Sequence, residues 1–363
     1  MFESGVVLLF CVFAFLLFLG LFLRAYSQKS AGKINAFVVI SFVILFIVHA
    51  FVEVDSLHDL PIYKSAFLEG IKLPYTHLKD GFWAASMEFG FLCYMKTLSF
   101  ISSDFTIVLI VNTLILLACY YRVILKYSPY VYVSILLLFV TIFGQSLFVL
   151  RQHLCMAILT LSWVHIFKKE YVKFGLFLLV AFMLHRTALI YAPLFLLYNI
   201  RSNRAFITSI IVTCIIFASS YMLILRYLVS EVGSLQGYAG YINNVKYEGA
   251  NYVSFILMLS LFLTMIYFMR SAIFEHGINR LLFSIICIAV IGSFFGVGNS
   301  STGRLFSYYT YIPYLLVPVV MKYIRNKIVQ VGYAAFYLSL YVYISYFGST
   351  SIYYENLKLL FLD

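Results

Sequence analysis

Polar residues able to do chemistry stand at a few points of an otherwise apolar chain. Arg151 lies in FVLRQHLCMAIL, directly after the apolar run 130–150. With Gln152 and His153 it makes a polar helix start, and the free backbone N–H groups of such a start suit an anion. His185 and Arg186 lie in LLVAFMLHRTALIYAP, flanked on both sides by apolar residues. An unpaired charge at that depth is expensive, so Arg186 implies an anionic partner. No carboxylate lies within a helical turn of either residue, so the partner is distant in sequence or is a ligand. Arg304 lies in GVGNSSTGRLFSYYTYIP, between a Gly/Ser/Asn-rich turn and a tyrosine-rich helix. Flexible polar backbone beside an arginine can wrap a phosphate. Glu88, in SMEFGFL, is the only carboxylate within an apolar-aromatic stretch, and suits a general base, a partner to an arginine or a helix-end residue. Asp55, His58, Asp59 and Tyr63, in the loop 53–80, could activate or hydrogen-bond a sugar hydroxyl. In the loop 225–250, Tyr238, Tyr241 and Tyr247 stand among Gly and Asn and suit sugar rings. Each feature has a plainer reading: an arginine snorkelling to an interface, a hydrogen-bonded core histidine, or a tyrosine belt.

The elements that must hold these residues follow from composition. Of 363 residues, 64% are apolar and 11% charged, against roughly 45–50% and about 25% in soluble domains. Ten to twelve spans of about 20 residues each would consume nearly all of that apolar content. The expected fold is therefore all-α and polytopic, one transmembrane domain over 1–363, with re-entrant or interfacial helices and larger outer loops at 53–80 and 225–250. Apolar runs predict helices at 5–23, 34–52, 105–121, 130–149, 152–167, 205–224, 251–269, 281–298, 305–320 and 328–347. Two stretches are ambiguous: 82–101, which carries Glu88 and Lys96, and 174–200, which carries His185-Arg186 and Pro193.

The net charge of +11 is explained by topology rather than by nucleic acid, since cytoplasmic loops collect Lys and Arg. If 82–101 is re-entrant or surface-lying and 174–200 is a bent pair of helices, most basic residues fall on the inner side. Every acid except Glu170 and Glu275 then lies outside, and so do Arg151, Arg186 and Arg304, the cations that topology does not require. The six cysteines all fall in apolar stretches without CxxC or CxxH spacing, so neither a disulfide framework nor a zinc site is expected.

Several of these segments together resemble one family. SMEFGFL at 86–92 is similar to its Glu-x-Gly-Phe motif, and LRQHLCMAI at 150–158 to its Arg-Gln helix start. FMLHRTALIYAPL at 182–194 resembles its Phe-His-x-Ser-Ala-Leu segment, TGRLFSYY at 302–309 its Arg-x-x-x-Tyr segment, and Asp59 with Tyr63 its early Asp-x-x-x-Tyr element. The family is the EpsG-like group of Wzy-type polysaccharide polymerases of bacterial inner membranes. Two departures stand out: His153-Leu154-Cys155 replaces a more usual apolar-Ala stretch, and Arg186-Thr187 replaces a more usual Lys-Ser or similar pair.

The resemblance implies a glycosyltransferase acting at the periplasmic face on oligosaccharides carried by undecaprenyl diphosphate. Its partners would be that lipid-linked substrate, membrane lipids and a chain-length regulator protein, with no cofactor, metal or nucleic acid. On this reading Arg151, Arg186 and Arg304 bind diphosphates, and His185, Glu88 or Asp59 deprotonates or orients the accepting hydroxyl. Gln152, Tyr63, Tyr308 and Tyr241 line the substrate. The rival readings are a flippase for the same lipid-linked sugars, a membrane O-acyltransferase using His185 as base, and a scaffold.

Overall fold

The computed structural model describes residues 4–23, 35–57, 59–200, 252–297, 300–347 and 357–360, with isolated positions 205, 208, 209 and 212. Its regular structure is helical, as a chain in hydrocarbon requires: a helix satisfies its backbone hydrogen bonds internally. Among the described residues there is no strand, only a single β-bridge between Val52 and Leu359. Among the described residues, five helices are long and apolar enough to cross a membrane: Gly5–Phe22, Thr106–Tyr127, Tyr252–Phe274, Ile278–Gly296 and Lys327–Phe347. Three shorter apolar helices accompany them, Ala36–Ala50, Val131–Ser146 and Tyr171–Leu184. The protein is thus an all-α, multi-spanning membrane protein. The expected helix 205–224 and the loop 225–250 lie outside the described residues.

The chain forms two compact units. The first comprises Met1–His165, Tyr171–Leu189 and Pro313–Asp363; the second comprises Ile166–Glu170 and Ile190–Ile312. In the first unit the helices that matter for the site are α1 (Ser4–Phe22), α2 (Ala36–Ala50), α3 (Leu60–Lys72), α4 (Phe89–Leu98), α5 (Thr106–Tyr127), α6 (Val131–Leu138), α7 (Leu150–Leu161), α8 (Trp163–Phe167) and α9 (Tyr171–Leu184). Its interior carries polar ties between helices. His49 of α2 joins Thr113 Oγ1 of α5 at 2.7 Å and Ser146 Oγ at 3.0 Å, and Tyr121 donates to Ser41 at 2.9 Å. These bonds satisfy polar groups that would otherwise be costly to bury.

Several sequence expectations are corrected in detail. The stretch 53–80, expected as a loop, holds the amphipathic helix α3, which starts at Leu60-Pro61 where a proline fits the first turn. The helix expected at 130–149 runs over Val131–Ser146 with a π-helical turn inside it at Phe139–Phe143. In 82–101 only α4 is a regular helix. Its ten residues reach about 15 Å at 1.5 Å per residue, half the thickness of a hydrocarbon core. The stretch 174–200 holds α9, a 3-10 turn at Arg186–Tyr191 and α10 (Pro193–Asn199).

The second unit contains α10, α11 (Tyr252–Met269), α12 (Ile278–Gly296) and α13 (Ser300–Thr310). The helix expected at 305–320 ends at Thr310 and restarts as α14 (Pro313–Met321), where the chain returns to the first unit; α15 (Lys327–Phe347) follows. Arg280 is fully buried in α12 and donates through Nη2 to the Ile200 carbonyl. Gly277, at φ 114°, permits the backbone turn into α12.

One close approach in the first unit sets the geometry of the site. At Gly90, near the start of α4, an added Cβ would lie 2.5 Å from the Met183 carbonyl oxygen at the end of α9. Only glycine lets these two helix ends come so near. At Gly175, on the same α9, an added Cβ meets nothing within 4 Å. Gly90→Ala is therefore expected to destabilise the purified protein by about 1–3 kcal/mol through overpacking. Gly175→Ala should be neutral or gain up to about 1 kcal/mol from helix propensity. Thermal melts in detergent compare the two; equal melting temperatures would refute the close approach.

Candidate active site

The site is built where three helix ends meet α3. Before α4, the Met87 N–H closes a 3-10 turn onto Ala84 O, and Glu88 then runs extended into the cap position of the helix. A residue there commonly turns its side chain back to bond a first-turn N–H, worth about 1 kcal/mol. Glu88 makes no such bond. Its carboxylate reaches across to α7 and α9 instead.

Glu88 Oε2 accepts from Arg151 Nη1. Oε1 accepts from His185 Nδ1 at 2.9 Å and from the Arg186 backbone N–H at 3.1 Å. The carboxylate is 6% exposed, so these donors take the place of water. Arg151 sits in the first turn of α7, where the positive end of the helix dipole disfavours a cation and Glu88 offsets the penalty. Its Nε donates to the Tyr63 hydroxyl at 3.4 Å. The guanidinium also lies 5.5 Å from the Tyr63 ring centre and 6.0 Å from that of Phe91, within cation–π range. His185 follows the last residue of α9, and Cys155 of α7 donates to Ala181 O of α9 at 3.1 Å. The distant carboxylate that pairs with Arg151 and His185 is thus Glu88, which meets Arg186 through the backbone N–H.

Burial alone would push the Glu88 carboxyl up. The His185 hydrogen bond, the charges of His185 and Arg151 and the Arg186 N–H outweigh it and hold the group at about 2, below its ordinary 4.5. Burial pushes the Tyr63 hydroxyl above its ordinary value, with Arg151 acting against the rise. An ionised carboxylate only accepts hydrogen bonds, so His185 carries its proton on Nδ1. Nε2 makes no hydrogen bond among the described residues. Glu88 itself accepts from three donors and is held well below the ordinary carboxylate range.

Among the other expected site residues, Asp59 stands at the cap of α3 one turn before Tyr63, and its charge is felt by Tyr63. Gln152 is buried in the first turn of α7. Arg304 belongs to the second unit. There it is exposed on α13, within electrostatic reach of Tyr311, and residues 300–303 form the first turn of that helix rather than a loop. Tyr308 is buried in the same unit. Tyr241 and His58 lie outside the described residues. Lys79 was not singled out from the sequence, where it reads as one more loop lysine. Its ammonium nevertheless interacts with Arg186, Glu88 and Arg151. No group of three or more His, Cys, Asp or Glu among the described residues could hold a metal ion.

The fold is that of a multi-spanning helical membrane protein, with a carboxylate-held histidine and an arginine beside it. The chain belongs to the EpsG family, whose match extends over residues 35–360. Membership carries a polysaccharide-polymerase type of role, in the manner of a glycosyltransferase. Comparison with curated proteins and with solved structures gave no match.

Because the folded carboxyl is depressed, Glu88 contributes stability that is fully present above its ordinary 4.5 and lost as pH falls through about 2. Glu88→Gln lacks that contribution at every pH. The melting-temperature gap between wild type and Glu88→Gln should close across this window; a constant gap would mean that Glu88 is not the ionised partner.

Proposed function

We infer that the protein is a polysaccharide polymerase of the bacterial inner membrane. It transfers a growing glycan from undecaprenyl diphosphate to a hydroxyl of an incoming lipid-linked repeat unit at the periplasmic face. The observation that carries this reading is the hydrogen bond of His185 to Glu88, which leaves Nε2 able to take a proton. The acceptor hydroxyl oxygen forms a bond to the anomeric carbon while its proton passes to His185 Nε2. The anomeric carbon–oxygen bond to the diphosphate breaks, and undecaprenyl diphosphate leaves with the electron pair. Arg151, Arg186 and Arg304 are the residues proposed to offset the negative charge of the diphosphates, a task suited to a planar, permanently charged group. Tyr63, held by Arg151, remains neutral and keeps its own proton to donate to a sugar or phosphate oxygen.

The long, apolar exterior of the helices is in keeping with a substrate that stays in the bilayer through its lipid tail. A membrane O-acyltransferase would use the same histidine base on a hydroxyl, and a flippase would need no base at all. His185→Ala, at normal protein level, is expected to slow chain extension by about 10²–10⁴-fold, the usual contribution of a general base. Single repeat units should accumulate on the lipid carrier, read by gel analysis of surface polysaccharide. Arg151→Ala and Arg304→Ala should shorten the polymer as well. Unchanged chain length in all three variants would sink the polymerase reading, and loss of acetyl groups at unchanged length would point to acyl transfer.

A further inference from the structure

The segment that delivers Glu88 to the site is a turn with little regular structure. After the 3-10 turn Tyr75–Asp80 comes Gly81-Phe82-Trp83, then a second 3-10 turn at Ala84–Ser86, then Met87 and Glu88. Two side chains of opposite charge hold this turn at its two ends. Glu69 Oε2 of α3 accepts the Trp83 backbone N–H at 3.0 Å. Lys79 Nζ donates to the Ala85 carbonyl at 2.9 Å and to the Met87 carbonyl. Among the described residues no backbone N–H reaches either of those carbonyls. They fall between the 3-10 turn and α4, and Lys79 is their donor within the protein. Met87 is the residue immediately before Glu88, so the ammonium fixes the peptide from which the carboxylate projects.

The charge of Lys79 also belongs to the site. Burial and the nearby Arg186 charge push its ammonium below the ordinary lysine value, Glu88 acts in the opposite direction, and Arg151 adds to the fall. Lys79 forms no ion pair among the described residues. Its direct partners are neutral carbonyls, so it holds the turn without competing with Arg151 and His185 for the carboxylate. A lysine that paired with Glu88 itself would displace the histidine.

We propose that Lys79 is a positioning residue of the site: by clamping the Ala85 and Met87 carbonyls it sets the Glu88 carboxylate against His185 and Arg151. The proposal rests on the polymerase reading for its kinetic test and on the geometry alone for its spectroscopic one. Lys79→Met keeps the length of the stem and removes every donor. A misplacement of about 1 Å can cost about 10²-fold, so Lys79→Met is expected to lower kcat by about 10- to 100-fold with little change in KM. Lys79→Arg, which keeps a cationic donor, should recover most of the rate.

The decisive measurement is a double-mutant cycle on the purified full-length protein. Its substrate is the lipid-linked oligosaccharide extracted from cells that lack this gene. If Lys79 acts through Glu88, Lys79→Met should add little to the loss already caused by Glu88→Gln. Losses that multiply, or an unchanged kcat in Lys79→Met, would overturn the proposal. A second readout needs no activity. The chain has two tryptophans, and in a Trp163→Phe background Trp83 reports on the turn alone. Acrylamide quenching of Trp83 should rise in Lys79→Met and not in Lys79→Arg; equal quenching in both would overturn the clamp. Should the wild type extend no lipid-linked oligosaccharide, the polymerase reading fails, and the Trp83 measurement still decides the role of Lys79.

Discussion

The first unit depends on keeping one carboxylate charged where water cannot reach it. Removing such a group from water is costly unless its oxygens receive good donors. Glu88 receives an arginine, a histidine and a backbone N–H, supplied by segments 63 and 97–98 residues away. This single requirement accounts for features that look unrelated. Gly90 has no side chain because the end of α9 must come within reach of the start of α4. Arg151 occupies the wrong end of a helix for its charge, and Glu88 is the reason that it can. Tyr63 and Phe91 flank the guanidinium with aromatic faces where water would otherwise be needed.

The site also departs from what local stability would select. A cap residue that does not cap and a cation at a helix N-terminus each cost a fraction of the protein's margin. Both departures serve the same end, the orientation of the His185 ring. A protein chosen for stability alone would place Ser or Asp before α4 and a neutral residue at the start of α7. Conflicts of this kind between local preference and observed structure are expected at functional sites.

Much of this was legible from the chain and some of it could not be. The multi-spanning helical fold follows from apolar run lengths, and Glu88, Arg151 and His185 stand out because each is ionisable in apolar surroundings. Their pairing does not follow, because no local spacing connects residues that far apart in the chain. That His185 and Arg186 need a partner distant in sequence was readable; that Glu88 meets His185 by its side chain and Arg186 by its backbone N–H was not. Lys79 escaped notice because its neighbours in sequence are polar, and its importance comes from two carbonyls that lack other donors. The break between α13 and α14 was hidden for a different reason. Apolar residues continue through Ile312, and a proline that can begin a helix looks the same as one that interrupts it.

The short length of α4 has a consequence for the way the protein meets its bilayer. A helix that spans the hydrocarbon must tilt or bend when membrane thickness changes. A helix of ten residues has only one boundary to satisfy and is under no such obligation. Its register is set by Gly90 against Met183 and by the Lys79 clamp rather than by the lipid. Thickness variation therefore falls on the long helices, while the carboxylate and the end of α9 travel together. The contact between Glu88 and the end of α9 is in this sense insulated from the lipid that surrounds the long helices.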